Sequence, residues 1–152
     1  MSVPELTYDP TICLLVALDR PPSIPAPGGL QLADHATWSW IADNVAKGIS
    51  RLPAVTLHTR PDVAAARCGQ HVDSLTADLL SAAWPWLQDA EVLDVVLHRW
   101  RYATPNVAYP KRCWTARGGR LVLAGDAFGG SRVEGAFLSG LAPASAVAGA
   151  EQ

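Results

Sequence analysis

Near its carboxyl end the chain places one carboxylate between glycines, in a segment that joins a short apolar run to a helical pattern. Residues 121–124 read LVLA, and Gly125-Asp126 follows at once, with Gly129-Gly130 shortly after. Glycines let a bulky ligand approach the backbone, and unpaired amides at a helix start stabilise negative charge on it. The pattern indicates a site for a ligand with hydroxyls and an electron-rich carbonyl. A tight strand-to-helix turn would by itself also account for Gly125-Asp126.

A helix is predicted directly after these glycines. Ser131 is the expected N-cap, and Glu134 follows three residues later, which is the spacing of a capping box. The apolar and small residues recur at helical spacing and define the face expected to pack inward against a sheet: Val133, Ala136, Phe137, Gly140, Leu141, Ala144 and Val147. A face of this kind, rich in alanine and glycine, allows a helix to lie close to a sheet.

A second candidate site lies on the predicted strand over residues 92–102. Alternation puts Val96, His98, Trp100 and Tyr102 on one face and Leu97, Arg99 and Arg101 on the other. An aromatic face with one imidazole is consistent with the wall of a ligand cavity, but this segment alone favours a core-packed aromatic face. Arg99 and Arg101 could bind a phosphate, although a solvated strand face is the commoner reason for such an alternation.

The remaining pattern predicts an α+β fold. Further strands are predicted over residues 11–18, 38–44 and 54–59, and a helix over residues 71–87. Prolines and glycines mark connectors at residues 20–29 and 104–119. The expected architecture is a mixed or antiparallel sheet with flanking helices, followed by a C-terminal strand–helix unit.

Composition excludes several classes of protein. Of the 152 residues, 49% are hydrophobic and 17% charged, and the net charge of −2 gives no basic surface for nucleic acid or an anionic membrane. The three cysteines form no C-x-x-C pair and suit a reducing compartment. We expect no signal peptide, no membrane span and a cytoplasmic location. The four histidines are scattered, so no metal site is expected.

The segment GDAFGGSRVEGAFLSGLAPA resembles the C-terminal flavin-binding motif of the amine-oxidase superfamily, in particular its renalase-like branch. Three upstream segments are similar to that branch in the same order: WIADN followed by Lys47-Gly48, LHT at residues 57–59, and HRWRYATP at residues 98–105. The likeness extends from about Tyr8 to Ala148.

This resemblance implies an FAD-dependent oxidoreductase that takes hydride from a small amine or dihydronicotinamide substrate and passes electrons to oxygen. Asp126 would hydrogen-bond the ribityl chain, and the helix start would point its amides at the flavin N1–C2=O edge. The implied cofactor-binding residues are Gly125, Asp126, Arg132, Val133, Glu134 and Gly135. His98, Trp100 and Tyr102 would bound the substrate cavity. No catalytic residue is assigned.

The chain contains no G-x-G-x-x-G segment, which members of this family carry near their N-terminus to hold the FAD pyrophosphate. We therefore expect the C-terminal portion of such an enzyme. Residues 1–117 would form a partial substrate-binding domain, and residues 118–152 the last strand–helix unit of an FAD-binding dinucleotide fold. Two alternatives stay open. The chain could be a non-catalytic remnant or accessory module, or one half of a split flavoenzyme whose FAD-binding half is a separate polypeptide.

Overall fold

The computed structural model describes residues 2–148, and side chains through residue 144, as an α+β chain. Residues 149–152 of the predicted C-terminal unit and the side chain of Val147 lie outside the described residues. In chain order the elements are β1 (Tyr8–Leu18), β2 (Gly29–Gln31), β3 (Trp38–Asp43), β4 (Ala54–Thr59), α1 (Pro61–Arg67), α2 (Val72–Leu87), β5 (Val92–Pro105), β6 (Trp114–Ala116), β7 (Leu121–Leu123), α3 (Asp126–Gly129) and α4 (Val133–Ala148).

Five strands form an antiparallel sheet in the order β2-β3-β4-β1-β5, which confirms the predicted α+β class with an antiparallel sheet; the predicted FAD-binding strand–helix unit stays a prediction. The register pairs Cys13 of β1 with His58 of β4, and His58 with Trp40 of β3. Strands β6 and β7 form a separate two-stranded antiparallel sheet. The apolar runs predicted as strands at residues 11–18 and 54–59 lie in β1 and β4.

Residues Pro10–Arg101 form one compact unit, here called the sheet unit. Its core lies between one face of the sheet and helices α1 and α2, and is built from every second residue of the strands. The largest contributors from the sheet are Ile12, Leu14, Val16, Leu18, Trp38, Ile41, Val55 and Leu57. Leu75 and Leu79 of α2 pack against them, and the Trp38 indole N–H donates to the Ala82 carbonyl at 3.1 Å.

Residues 2–9 and 102–148 belong to the second compact unit, here called the terminal unit. It has a small apolar core in which Trp114, Ala127 and Phe128 are buried. The ring of Tyr109 lies 5.3 Å from that of Phe128, and the Tyr109 amide donates to the Ala127 carbonyl. The predicted boundary at residues 117/118 concerns the domains of a larger enzyme and stays a prediction.

Four elements were not anticipated by the sequence patterns. One is β2, which begins at the last residue of the predicted connector at residues 20–29. Helix α1 begins at Pro61, where only the end of a strand was predicted, because proline suits the first helical position and needs no amide partner there. Strand β6 lies inside the predicted connector at residues 104–119, and the single turn α3 lies inside the predicted glycine turn. Among residues 2–148, no helix is long and apolar enough to cross a bilayer.

Candidate functional sites

The Gly-Asp turn follows β7 and holds its carboxylate close to its own backbone. Gly125 has φ of 147°, a left-handed conformation that favours glycine, and Asp126 opens α3. One carboxylate oxygen of Asp126 accepts the Ala127 amide at 2.8 Å. Burial raises the pKa of the Tyr8 phenol, and the nearby Asp126 charge raises it further. Asp126 therefore lies in a fixed position, with Tyr8 close enough to sense its charge.

Ser139 fixes this turn from inside the terminal unit. Its side chain is fully buried, its hydroxyl accepts the Gly125 amide at 2.9 Å, and it donates to the Arg112 carbonyl at 2.5 Å. The Gly125 amide is therefore used within the chain and is not available to a ligand. The sequence patterns gave no sign of this role, because the partners lie 14 and 27 residues away from Ser139 along the chain.

The second glycine of the turn and a glycine of α4 permit a backbone contact. A Cβ atom on Gly129 would lie 1.9 Å from the Gly135 carbonyl oxygen, and one on Gly135 would lie 2.4 Å from the Gly130 carbonyl oxygen. Such distances are not possible for real side chains without movement of the backbone. The glycines were interpreted as making room for a ligand; Gly129 and Gly135 are required for the close packing of α3 on α4.

The start of α4 gathers most of the predicted cofactor-contacting residues on one surface. Helix α4 begins at Val133, and the Arg132 carbonyl accepts the Ala136 amide, so Arg132 rather than Ser131 takes the N-cap position. A shallow depression of about 350 Å³ is lined by Asp126, Ser131, Arg132, Val133 and Ala136. A second, of about 470 Å³, includes Arg132, Glu134 and Gly135 among its lining residues.

The amides of Val133 and Glu134 in the exposed first turn of α4 are open to an anionic ligand, whereas Gly135 is buried against the backbone of Gly129 and Gly130. An α-helix offers no carbonyl partner to its first amides. Within the described residues, the amides of Val133, Glu134 and Gly135 donate to no loop or turn carbonyl. The N-terminal end of the helix dipole adds positive potential at the same place.

The apolar stripe of α4 lies on its exposed side. Val133, Phe137 and Leu141 are 90%, 65% and 50% exposed, whereas Gly135 and Ser139 are buried. The helix face predicted to pack against a sheet is therefore uncovered in this chain. The reason is that Gly135 and Ser139 make the contacts to α3 and to the Gly-Asp turn, and these contacts set the rotation of the helix.

On β5 the aromatic side chains face solvent and are not packed in the core. Trp100 is 51% exposed, and its ring centroid lies 4.4 Å from that of His98, with the planes at 61°. The core-packed interpretation of this strand face was wrong, because the core lies on the other face of β5. Tyr102 is also exposed and pairs edge-on with Tyr8 in the terminal unit.

The side chains of His98 and Trp100 share a sheet face with residues of the adjacent strand β1 and of β4 and β3 beyond it. Arg99 lines a cavity with Ile12 and Ala64 on the helix-covered side, so its neighbours on β5 point to the opposite side. Cys13 alternates with Ile12 in the same way. We call this side the open face, defined by Trp40, His58, Cys13, His98 and Trp100.

Two titratable groups on the open face are neutral near pH 7. Burial lowers the pKa of the His58 imidazole, and the Lys47 charge lowers it further. Burial raises the pKa of the Cys13 thiol. The sequence analysis did not select His58 and Cys13 as site residues. Aligning the predicted strands β3, β4 and β1 side by side would have placed both residues in one row with Trp40.

The open face offers aromatic surfaces and a neutral imidazole, which suit a flat, ring-shaped ligand with a hydrogen-bonding group. In the part of the chain that the structure describes, no three histidine, cysteine or carboxylate side chains are close enough to hold a metal ion.

Neither the protein-family models nor the curated proteins include a match to this chain.

Proposed function

We propose that this chain supplies the substrate-facing sheet and one flavin-contacting strand–helix unit of an FAD-dependent oxidoreductase of the renalase type. The observation that carries the proposal is the exposed His98–Trp100 pair on the open face. A sheet that buries one face under helices and leaves a large indole half exposed on the other is what a wall for a ring-shaped substrate requires.

The open face would bind the substrate by stacking and hydrogen bonding. The indole of Trp100 offers a flat surface to an amine-bearing or dihydronicotinamide ring, and His98 supports the indole from the side. His58 is neutral near pH 7, so its imidazole can accept a hydrogen bond or a proton from the substrate. Trp40 lies beside His58 in the register and would extend the apolar surface.

The residues at the start of α4 fit the ribityl chain and the pyrimidine edge of a flavin. Asp126 has one carboxylate oxygen engaged with Ala127 and would use the other to accept a ribityl hydroxyl. The amides of Val133 and Glu134 would donate to the edge that becomes negative on reduction. When bound, the flavin would accept hydride from the substrate and pass electrons to oxygen. Because the chain has no G-x-G-x-x-G segment, another polypeptide segment would hold the pyrophosphate.

A second candidate function is that of a non-catalytic module or one half of a split enzyme, which docks on another polypeptide. The exposed face of α4 favours it, since Val133, Phe137 and Leu141 form an apolar stripe that a partner sheet would cover. A non-catalytic module would give a complex without flavin or turnover, whereas one half of a split flavoenzyme would, like the first candidate, give a complex with both.

The visible spectrum of the purified protein tests the proposal. The chain alone is expected to be colourless, and the chain co-expressed with a G-x-G-x-x-G-bearing half from a renalase-like enzyme is expected to retain flavin through desalting. Oxidation of a dihydronicotinamide by that complex, with formation of peroxide, supports the oxidoreductase. A complex that forms but stays colourless supports the accessory module and contradicts the enzyme. Stoichiometric flavin on the chain alone would contradict the need for a second half.

A further inference from the structure

A cavity of about 270 Å³ lies within the sheet unit, on the helix-covered side between β1, β5 and α1. Its lining is Pro10, Thr11, Ile12, Ala64, Cys68, Arg99, Trp100 and Arg101. Most of the wall is apolar, and its charged groups are two guanidinium ions. No carboxylate is part of the lining. The volume is at the small end for ligand sites, so an occupant would be small.

The guanidinium of Arg99, which lines this cavity, has a hydrogen-bond donor without a partner among the described residues. One terminal nitrogen, Nη2, donates to the Gln70 carbonyl at 2.8 Å, which fixes the direction of the guanidinium. The Nε atom is buried and has no hydrogen-bond partner among the described residues. A buried donor of a charged group without a partner is costly, and most such groups in proteins are satisfied. An acceptor at this edge of the guanidinium would remove the cost.

Neighbouring charges leave the cavity positive. Arg101 follows Arg99 on the same strand face, and no ion pair of either residue occurs in the described part of the chain. Arg67, in contrast, is neutralised by Asp78 and also bonds the Gln70 side chain. The two β5 arginines are thus the cations that an anion entering the cavity would meet.

We propose that this cavity binds a small organic monocarboxylate with a flat apolar body. The carboxylate would accept from Arg99, whose Nε–H has no partner while Nη2 already donates to the Gln70 carbonyl, and Arg101 would add attraction. The apolar body would contact Pro10, Ile12 and Ala64. These apolar walls favour an organic acid over inorganic phosphate, which would leave them uncovered by any apolar group. Since the Arg99 side chain alternates with that of His98, this guanidinium lies on the other side of the sheet from the open face, and Trp100 is the residue that the two sites share. The site does not depend on the proposed oxidoreductase.

Titration of the ¹⁵N-labelled chain with benzoate tests the site, at ionic strength held constant with chloride. Benzoate bound beside Arg99 would change the environment of the guanidinium, and the Arg99 Nε–H resonance reports that change. The expected result is a saturable shift of this resonance and of backbone amides at Ile12 and Ala64. Benzamide, the neutral isostere, should bind about tenfold more weakly or worse. Equal shifts with benzamide, or none with benzoate, would overturn the proposal.

Matched variants locate the binding. Arg99→Gln removes the charged donor and should abolish the benzoate shifts, whereas Arg120→Gln, on an exposed residue of the terminal unit, should leave them unchanged. Arg99→Gln also loses the hydrogen bond to the Gln70 carbonyl and could change the local structure. A second pair of variants therefore alters Cys68, at the rim of the cavity, and leaves Arg99 in place. Cys68→Phe should block entry of benzoate, and Cys68→Ser should preserve it. Retained affinity in both Arg99→Gln and Cys68→Phe would place the benzoate elsewhere and contradict the proposal.

Discussion

The Ser139 hydroxyl accepts the amide of Gly125 at 2.9 Å and so ties the middle of α4 to the turn that carries Asp126. The same hydroxyl donates to the Arg112 carbonyl, so a single buried oxygen joins three segments of the terminal unit. Buried hydroxyls that use both their donor and their acceptor are stable features, because each lost partner would leave a polar group without water. The position of Asp126 relative to α4 therefore depends on Ser139.

Ser139→Ala should destabilise the terminal unit by about 1–3 kcal/mol, because it leaves the Gly125 amide and the Arg112 carbonyl without their partner. Urea unfolding and hydrogen exchange of the Gly125 amide measure the effect, and that amide should lose protection. Ser131→Ala, on an exposed residue of the same segment, is the control and should change stability little. Equal effects of the two variants would contradict the assigned role of Ser139.

Gly135→Ala should be strongly destabilising, since its Cβ would lie within 2.5 Å of the Gly129 and Gly130 carbonyl oxygens. Overpacking costs typically about 1–3 kcal/mol, and here the obstacle is backbone that cannot change rotamer. Gly140→Ala, on the same helix with open space around its Cβ, should stabilise it by about 0.5–1 kcal/mol. The opposite signs are checked by urea unfolding of the two variants side by side.

The fold was largely predictable, because alternation along β1, β4 and β5 and the helical spacing of α2 are local patterns. The sequence predicted which residues share a strand face, but not which face the core would take. On β5 the large rings suggested a buried face, whereas Leu97 and its neighbours pack against the core and Trp100 is exposed. Aromatic size was a poor guide here, since a one-sided sheet can leave large rings open to a ligand.

The site at the Gly-Asp turn was predictable only as a sequence segment. Asp126 and the start of α4 share one surface, and the segment is short enough for local reasoning to place them together. The rotation of α4 depends on Ser139 and Gly135, whose partners are set by the tertiary fold. The helical spacing of large apolar residues such as Phe137 did not indicate that the small residues Gly135 and Ser139 would be the buried ones.

The pKa of His58 should lie below about 6.5, the ordinary value for histidine. An NMR titration of the half-buried His58 imidazole measures this pKa directly. Because the unfolded chain takes up this proton at higher pH than the folded chain, stability should fall as pH drops from about 6.5 toward the folded pKa, and His58 should contribute no pH dependence above that window. His58→Gln should flatten this part of the pH profile.

Lys47→Gln separates the two causes of the His58 shift. Removing the Lys47 charge should raise the His58 pKa partway, because burial, the larger cause, is unchanged. Lys111→Gln, in the terminal unit, is the control and should leave the pKa where it is. A His58 pKa above 6.5 in the unmodified chain would contradict the burial of the imidazole.

The exposed stripe of α4 should make the isolated chain associate. Val133, Phe137 and Leu141 lie along one side of the helix, and contiguous apolar patches drive association in water. Light scattering should show mass rising with concentration, and Phe137→Glu should lower it and reduce binding of a hydrophobic dye. Leu52→Glu, at an exposed leucine of the sheet unit, should change neither. A clean monomer without dye binding would count against a docking role for α4.

The roles of Asp126 and Trp100 can be separated in the co-expressed complex, where one is assigned to the cofactor and the other to the substrate. Asp126→Ala should weaken flavin binding by about 1.5–3 kcal/mol, the range for a hydrogen bond to a charged group. Trp100→Ala should leave flavin bound and lower turnover, since the indole is exposed on the open face. Flavin fluorescence after desalting and the rate of dihydronicotinamide oxidation measure the two effects.

Arg132→Ala is the control for this pair, because the proposed contacts at the start of α4 come from backbone amides and the Arg132 side chain is exposed. It should change flavin binding and turnover little. If Trp100→Ala released the flavin while Asp126→Ala had no effect, the cofactor would lie on the open face of the sheet and not at the Gly-Asp turn. That outcome would require the assignment of the two faces to be exchanged.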